Sequence, residues 1–171
     1  MKKILLFWLL FIPILLSSEI SFPESLYFIY TKSDYKIMLG INPIFIEKEY
    51  GYPKEKILRH KFNSPDYEVW SMVYDDFEIW YDTYDNIITT IEINSLNYTT
   101  SMGIKIFDTM QKVINTYGKP STIFENSRGE LVLNYNKIFK EINHDGEYST
   151  LQFTFLEEKV IKIILAIVSE V

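Results

Sequence analysis

Two stretches of this chain, Ile37–Pro53 (IMLGINPIFIEKEYGYP) and Ile104–Pro120 (IKIFDTMQKVINTYGKP), read alike. Each passes from a short apolar run through a helix-capping residue and a brief helical pattern, and stops at Tyr-Gly-x-Pro. Tyr50-Gly51-Tyr52-Pro53 matches Tyr117-Gly118-Lys119-Pro120 at an offset of 67 residues (117 against 50). A strand-rich, aromatic-rich tail follows both times. A period this long, holding one helix and several strands, predicts a tandem duplication of one α+β unit rather than a solenoid.

The N-terminus reads as a targeting segment. Met1-Lys2-Lys3 is a basic start, Ile4–Leu16 is apolar throughout, and Ser17-Ser18 supply small residues near a cleavage point. The apolar run falls short of the ~20 residues needed to cross a bilayer as a helix and suits a secretory signal. Residues 1–18 are therefore expected to be a signal peptide. Residues 19–171 are expected to be a single domain of two repeats, about 36–96 and 97–171. Periplasmic or secreted localisation follows, with membrane attachment only if the segment is retained. There is no cysteine, which excludes disulfides, thiolate chemistry and a lipid-anchoring cysteine. Without Lys2 and Lys3, 15 basic residues remain against 23 acidic ones, which argues against a nucleic-acid partner.

Local signals place the elements. Asn42 caps a first helix with Pro43 at its first position, and Asp108-Thr109 caps a second that runs to Tyr117. Gly51 and Gly118 sit where a left-handed C-terminal residue is wanted, and the prolines that follow prevent continuation. Strands are predicted at 57–61, 67–74, 77–82 and 87–93 after the first helix. After the second they are predicted at 122–125, 130–135, 149–156 and 159–167. Asp75-Asp76 reads as a two-residue hairpin turn, and His144-Asp145-Gly146 as another turn. Gly103–Phe107 reads as a short strand, Ser95–Ser101 as a polar link, and Lys137–Ile142 as a short strand or hairpin arm. Ser21–Tyr35 reads as a short helix after Pro23 or an edge strand.

Alternation assigns faces. Trp70, Met72, Tyr74, Phe77, Ile79 and Tyr81 fall on a helix-packed face, with Glu68 as an end-of-strand exception. Tyr67, Val69, Ser71, Val73, Glu78, Trp80 and Asp82 fall on the other. The expected fold is α+β: an antiparallel sheet with helices on one face and the other face open. Trp80 lies between Glu78 and Asp82 on that open face. With Tyr67 and Tyr84 beside it, it forms the candidate partner-binding patch, since Trp and Tyr dominate interface hot spots. An acidic rim of Glu78 and Asp82 favours a partner with a basic patch.

The unit resembles the repeat of the β-lactamase-inhibitor-protein-like fold. The residues that carry the likeness are Leu39-Gly40-Ile41-Asn42, Tyr50-Gly51-Tyr52-Pro53, Thr109, Val113, Tyr117-Gly118-Lys119-Pro120 and Lys159-Val160-Ile161-Lys162-Ile163. That fold is shared by secreted β-lactamase inhibitors and by small lipoproteins of the outer-membrane assembly machinery. The resemblance covers roughly residues 36–167 and implies a bacterial envelope protein whose open sheet face binds another protein. Phe107 departs from the pattern, standing where the capping-turn glycine is usual.

Catalytic signatures are missing from the sequence: it has no phosphate-binding loop, no nucleophile elbow and no His-Glu-x-x-His. His60 lies in the basic stretch Arg59-His60-Lys61, read as a solvated strand edge, and His144 lies in a turn. Asp75, Asp76, Asp82 and Asp85 fail the calcium-loop spacing, because Ile87 and Ile93 stand where glycine and a bidentate glutamate belong. No catalytic, metal or cofactor site is expected. The function read from the sequence is non-enzymatic protein binding in the cell envelope, inhibitor-like or assembly-like. The alternative is a sensor of small molecules or cell-wall fragments.

Overall fold

In the computed structural model, which describes residues 28–31, 36–63, 67–137 and 147–169, strands dominate and two short helices interrupt them. The opening pair of strands, β1 (Phe28–Thr31) and β2 (Lys36–Met38), is followed by helix α1 (Ile44–Tyr50). A meander of four strands comes next: β3 (Glu55–Lys61), β4 (Glu68–Val73), β5 (Phe77–Asp82) and β6 (Ile88–Ile93). Strand β7 (Tyr98–Thr100) leads to helix α2 (Met110–Tyr117). The last four strands are β8 (Thr122–Glu125), β9 (Leu131–Lys137), β10 (Glu147–Leu156) and β11 (Lys159–Ser169).

All pairings between these strands are antiparallel. One sheet has eight strands in the order β3-β4-β5-β6-β11-β10-β9-β8, and a smaller one has the order β2-β1-β7. The two meanders meet at β6 and β11, where Ile93 faces Ile163 and Ile91 faces Leu165. Core residues from both helices, the small sheet and the large sheet form one buried cluster, including Ile46, Val113, Ile37, Ile79 and Phe153. Val69 and Val73 on β4, Trp80 on β5 and Val132 on β9 stand outside it, so among the described residues the helices and the small sheet cover a single face of the large sheet.

The helix ends follow from local chemistry. Asn42 Oδ1 accepts from Ile44 N at 2.9 Å, and Thr109 Oγ1 accepts from Lys112 N at 3.2 Å. Gly51 (φ 80, ψ −169) and Gly118 (φ 77, ψ −154) end the helices with positive φ. Their ψ is extended rather than left-handed helical, in a region that is essentially closed to residues with a Cβ. The Tyr74 hydroxyl donates to Gly51 O and the Tyr135 hydroxyl to Gly118 O, each at 3.2 Å. Burial pushes both phenols up to about 12.

Three expectations are corrected. Gly103–Phe107 is not a strand: Gly103 (φ 78) and Phe107 (φ 68) break the extended backbone, although Ile104 and Ile106 are both buried. The strand lies earlier, within the supposed link 95–101. There Tyr98 packs edge-on against Phe77 and Thr100 accepts a 2.7 Å hydrogen bond from the Tyr117 hydroxyl. Strand β1, part of a segment read as a short helix or an edge strand, is central in the small sheet, between β2 and β7. The targeting segment, the turn at His144 and residues 138–142 lie outside the described residues. Among the described residues no helix is long and apolar enough to cross a membrane.

Candidate functional site

The face of the large sheet that no described helix or strand covers acquires its chemistry from strand register. Ser71 on β4 stands opposite Trp80 on β5, Val73 opposite Glu78, and Val69 opposite Asp82. Trp80 in turn faces Thr90 on β6. Serine is the smallest side chain in this row, and it is fully buried. The low step it leaves lets Arg59 on the edge strand β3 reach across β4 to β5. Arg59 Nε donates to Ser71 Oγ at 2.9 Å, and its Nη2 pairs with Glu78 Oε1. Its guanidinium lies over the Trp80 ring, 5.2 Å from the centroid, within cation–π range. Trp80 Nε1 completes the network by donating to Glu78 Oε1 at 2.7 Å.

Glu78 also faces Glu92 directly across β5 and β6, a like-charge pair that destabilises unless each member is countered. Arg59 counters the first, and Lys162 on β11 counters the second at 2.7 Å. The face is therefore balanced in charge around Trp80. Beyond that centre, towards β8, it becomes an amide ladder. Gln152 Nε2 donates to Asn134 Oδ1 at 2.7 Å and Thr150 Oγ1 to Asn136 Oδ1 at 2.9 Å.

An aromatic row closes the other end. Phe62 and Tyr67 stack with centroids 4.1 Å apart, His60 meets the Phe62 ring at 4.3 Å, and Tyr67 lies 6.1 Å from Tyr84. Phe62 N–H bonds to Tyr67 O, so the row extends the β3–β4 pairing. Tyr84 is largely exposed, on the turn between β5 and β6. Tyr67 and Tyr84 meet beyond the Val69–Asp82 pair, whereas Trp80 and Glu78 stand further along β5, opposite Ser71 and Val73.

Asp82 is different and its role is corrected. It is 5% exposed, and its Oδ1 accepts from Asp85 N at 2.7 Å, so it secures the turn below Tyr84 and offers no carboxylate to a partner. With Asp82 buried and Glu78 held by Arg59 and Trp80, the acidic rim is used up internally. Glu68, on the helix side with Trp70, accepts from the Trp70 indole at 2.9 Å and from Lys61. The Lys61 ammonium, and secondly the indole, hold its carboxyl below the ordinary range.

Arg59 is the residue the sequence reading missed. In Arg59-His60-Lys61 it looked like ordinary edge protection. The available signal was a serine between Arg59 and Trp80 in the meander, marking where a long cation can cross a strand. Neither a protein-family model, nor a curated protein, nor a solved structure matches this chain.

Proposed function

We propose that this chain is an exported, non-enzymatic binding domain of the cell envelope that grips another protein through the open face of its eight-stranded sheet. The observation that carries the reading is the Arg59–Trp80–Glu78 network. A partly exposed indole is fixed in orientation by a hydrogen bond on its nitrogen and a guanidinium over its ring. Fixing the ring before binding lowers the entropic cost of ordering it in a complex. Tyr67, Phe62 and Tyr84 continue the aromatic area, and the charge-balanced surroundings suit a partner that offers apolar and hydrogen-bonding groups. With Asp82 buried and Glu78 engaged by Arg59 and Trp80, the face calls for no basic patch on the partner.

The reading extends to origin. The two helix–meander halves are proposed to be repeats of one unit, of the β-lactamase-inhibitor-protein-like kind. Support comes from matching details. Gly40 N bonds to Ile88 O as Phe107 N bonds to Val160 O, both at 2.8 Å, and the reciprocal bonds Ile88 N to Ile41 O and Val160 N to Asp108 O are both 2.9 Å. Lys54 N to Val73 O and Ser121 N to Asn134 O likewise occupy the same step after each Tyr-Gly-x-Pro. The amide ladder of the second half then replaces the aromatic network of the first, which confines the binding chemistry to one half of the face.

The test is affinity for the partner recovered from an envelope fraction. Trp80→Ala is expected to weaken binding by about 2 kcal/mol, the scale of an interface hot spot, with the unfolding midpoint nearly unchanged. Unaltered affinity would remove the reading.

A further inference from the structure

The two outer strands of the large sheet are built differently. At one edge, β3 carries Lys56, Arg59, His60 and Lys61, and its pairing with β4 shifts register between Leu58 and His60. Its cations are tied down: Lys56 to Glu47, Arg59 to Glu78, Lys61 to Glu68. Charge and a bulge are the ordinary devices that keep a sheet edge from recruiting another strand. At the other edge, β8 (Thr122-Ile123-Phe124-Glu125) has no bulge, and its single charge, Glu125, is its last residue. Its four pairs with β9 run without a shift, and it contains no cation. Ile123 is 59% and Phe124 44% exposed, one on each face of the strand.

We infer that the outer edge of β8 docks an extended peptide segment of a partner protein, which adds a ninth strand to the sheet. Alternate residues of an antiparallel strand turn both N–H and C=O away from the neighbour they already pair with. In β8 those groups point outward, and among the described residues no strand pairs with them. An incoming strand would bond to them and place apolar side chains beside Ile123 and Phe124, the arrangement of β-strand addition. The only charge on β8 is Glu125, so a basic residue at the matching end of the peptide is favoured. A second copy fits less well. A four-residue edge cannot supply the roughly 1,200 Å² of a stable interface, and both copies would carry a net charge of −6. The peptide site lies at the β8 edge, whereas Trp80 stands on the interior strand β5, and it does not depend on the reading given above.

The probe is a terminally blocked Lys-Val-Thr-Val-Thr-Val-Lys peptide, added to the full chain while amide hydrogen exchange is followed residue by residue. Slowed exchange confined to Thr122–Glu125, with one peptide per chain, is the expected result. Phe124→Lys, a charge on an exposed position, should lower peptide affinity by about tenfold or more without moving the urea midpoint. Ile123→Lys provides the same test should the first variant prove less stable. Protection at β3, protection at both edges, no protection, or affinity unmoved by either lysine would overturn the proposal. So would concentration-dependent dimerisation that protects β8 without peptide, since the edge would then belong to a second copy.

Discussion

Phe107 holds φ at +68, where an L-residue is strained by about 1–2 kcal/mol. It is pinned there from both sides, by its own N–H to Val160 O and by Val160 N–H to Asp108 O. The ring is 60% exposed, so the strain is not repaid by deep burial. Replacing Phe107 by alanine and by glycine separates the two effects. Both variants lose what the ring buries, but only glycine also releases the backbone. Against that release stands the greater freedom of glycine in the unfolded chain, about 0.4–1 kcal/mol. Phe107→Gly should therefore be more stable than Phe107→Ala by about 0.5–1 kcal/mol, or a few degrees in Tm for a chain of this size. At an ordinary position with negative φ the order reverses. Gly40 supplies the converse. Its φ is +75 with open space around an added Cβ, so Gly40→Ala should cost about 1 kcal/mol through backbone strain alone. Urea unfolding at constant m-value reads all three variants. Phe107→Ala equal to or more stable than Phe107→Gly would refute the strain assignment.

Gly118→Ala should destabilise by about 1–3 kcal/mol, because φ 77 with ψ −154 is essentially a glycine-only conformation. An unshifted urea midpoint would exclude it. Tyr74, Tyr117 and Tyr135 have phenols pushed by burial from the ordinary value near 10 up to about 12. A folded-state value above the unfolded one means that the stability is fully present below pH ~10 and is lost as pH rises towards ~12. Loss of circular dichroism should therefore coincide with late phenolate absorbance in that window, and unfolding complete below it would contradict the assignment. Arg59→Met, in a Trp70→Phe background, should shift Trp80 emission while costing less than about 1 kcal/mol of stability, since the Arg59 side chain is 32% exposed and its ion pair is screened. An unchanged emission spectrum would deny the stacking.

The sequence is a good guide where a signal is local and a poor one where it depends on a distant partner. Strands 77–82 and 122–125 and the tyrosine–glycine helix ends are written in alternation, capping and turn residues, and the structure reproduces them. The faces of β4 and β5 followed from period two alone. Strand β7 was missed because three residues are too few for alternation to register. Tyr98 and Thr100 become a strand only by pairing with β1, some seventy residues earlier in the chain. Gly103–Phe107 shows the converse. Ile104 and Ile106 are buried alternately, yet two positive φ values fold the segment into turns. The same limit governs the candidate site. Trp80, Tyr67 and Glu78 could be placed by parity, whereas Arg59 required knowing that Ser71 lies beneath its path, and Asp82 that its carboxylate is spent on a turn.

Partner binding by the open face around Trp80 can be read by site-specific photo-crosslinking in intact cells. A photoreactive phenylalanine at Thr90, opposite Trp80 on the open face, is compared with one at Phe45, exposed on helix α1. Position 90 should give a discrete protein adduct that disappears with Trp80→Ala, and position 45 none. An adduct from position 45 alone, no adduct from position 90, or one that survives Trp80→Ala would contradict binding by this face.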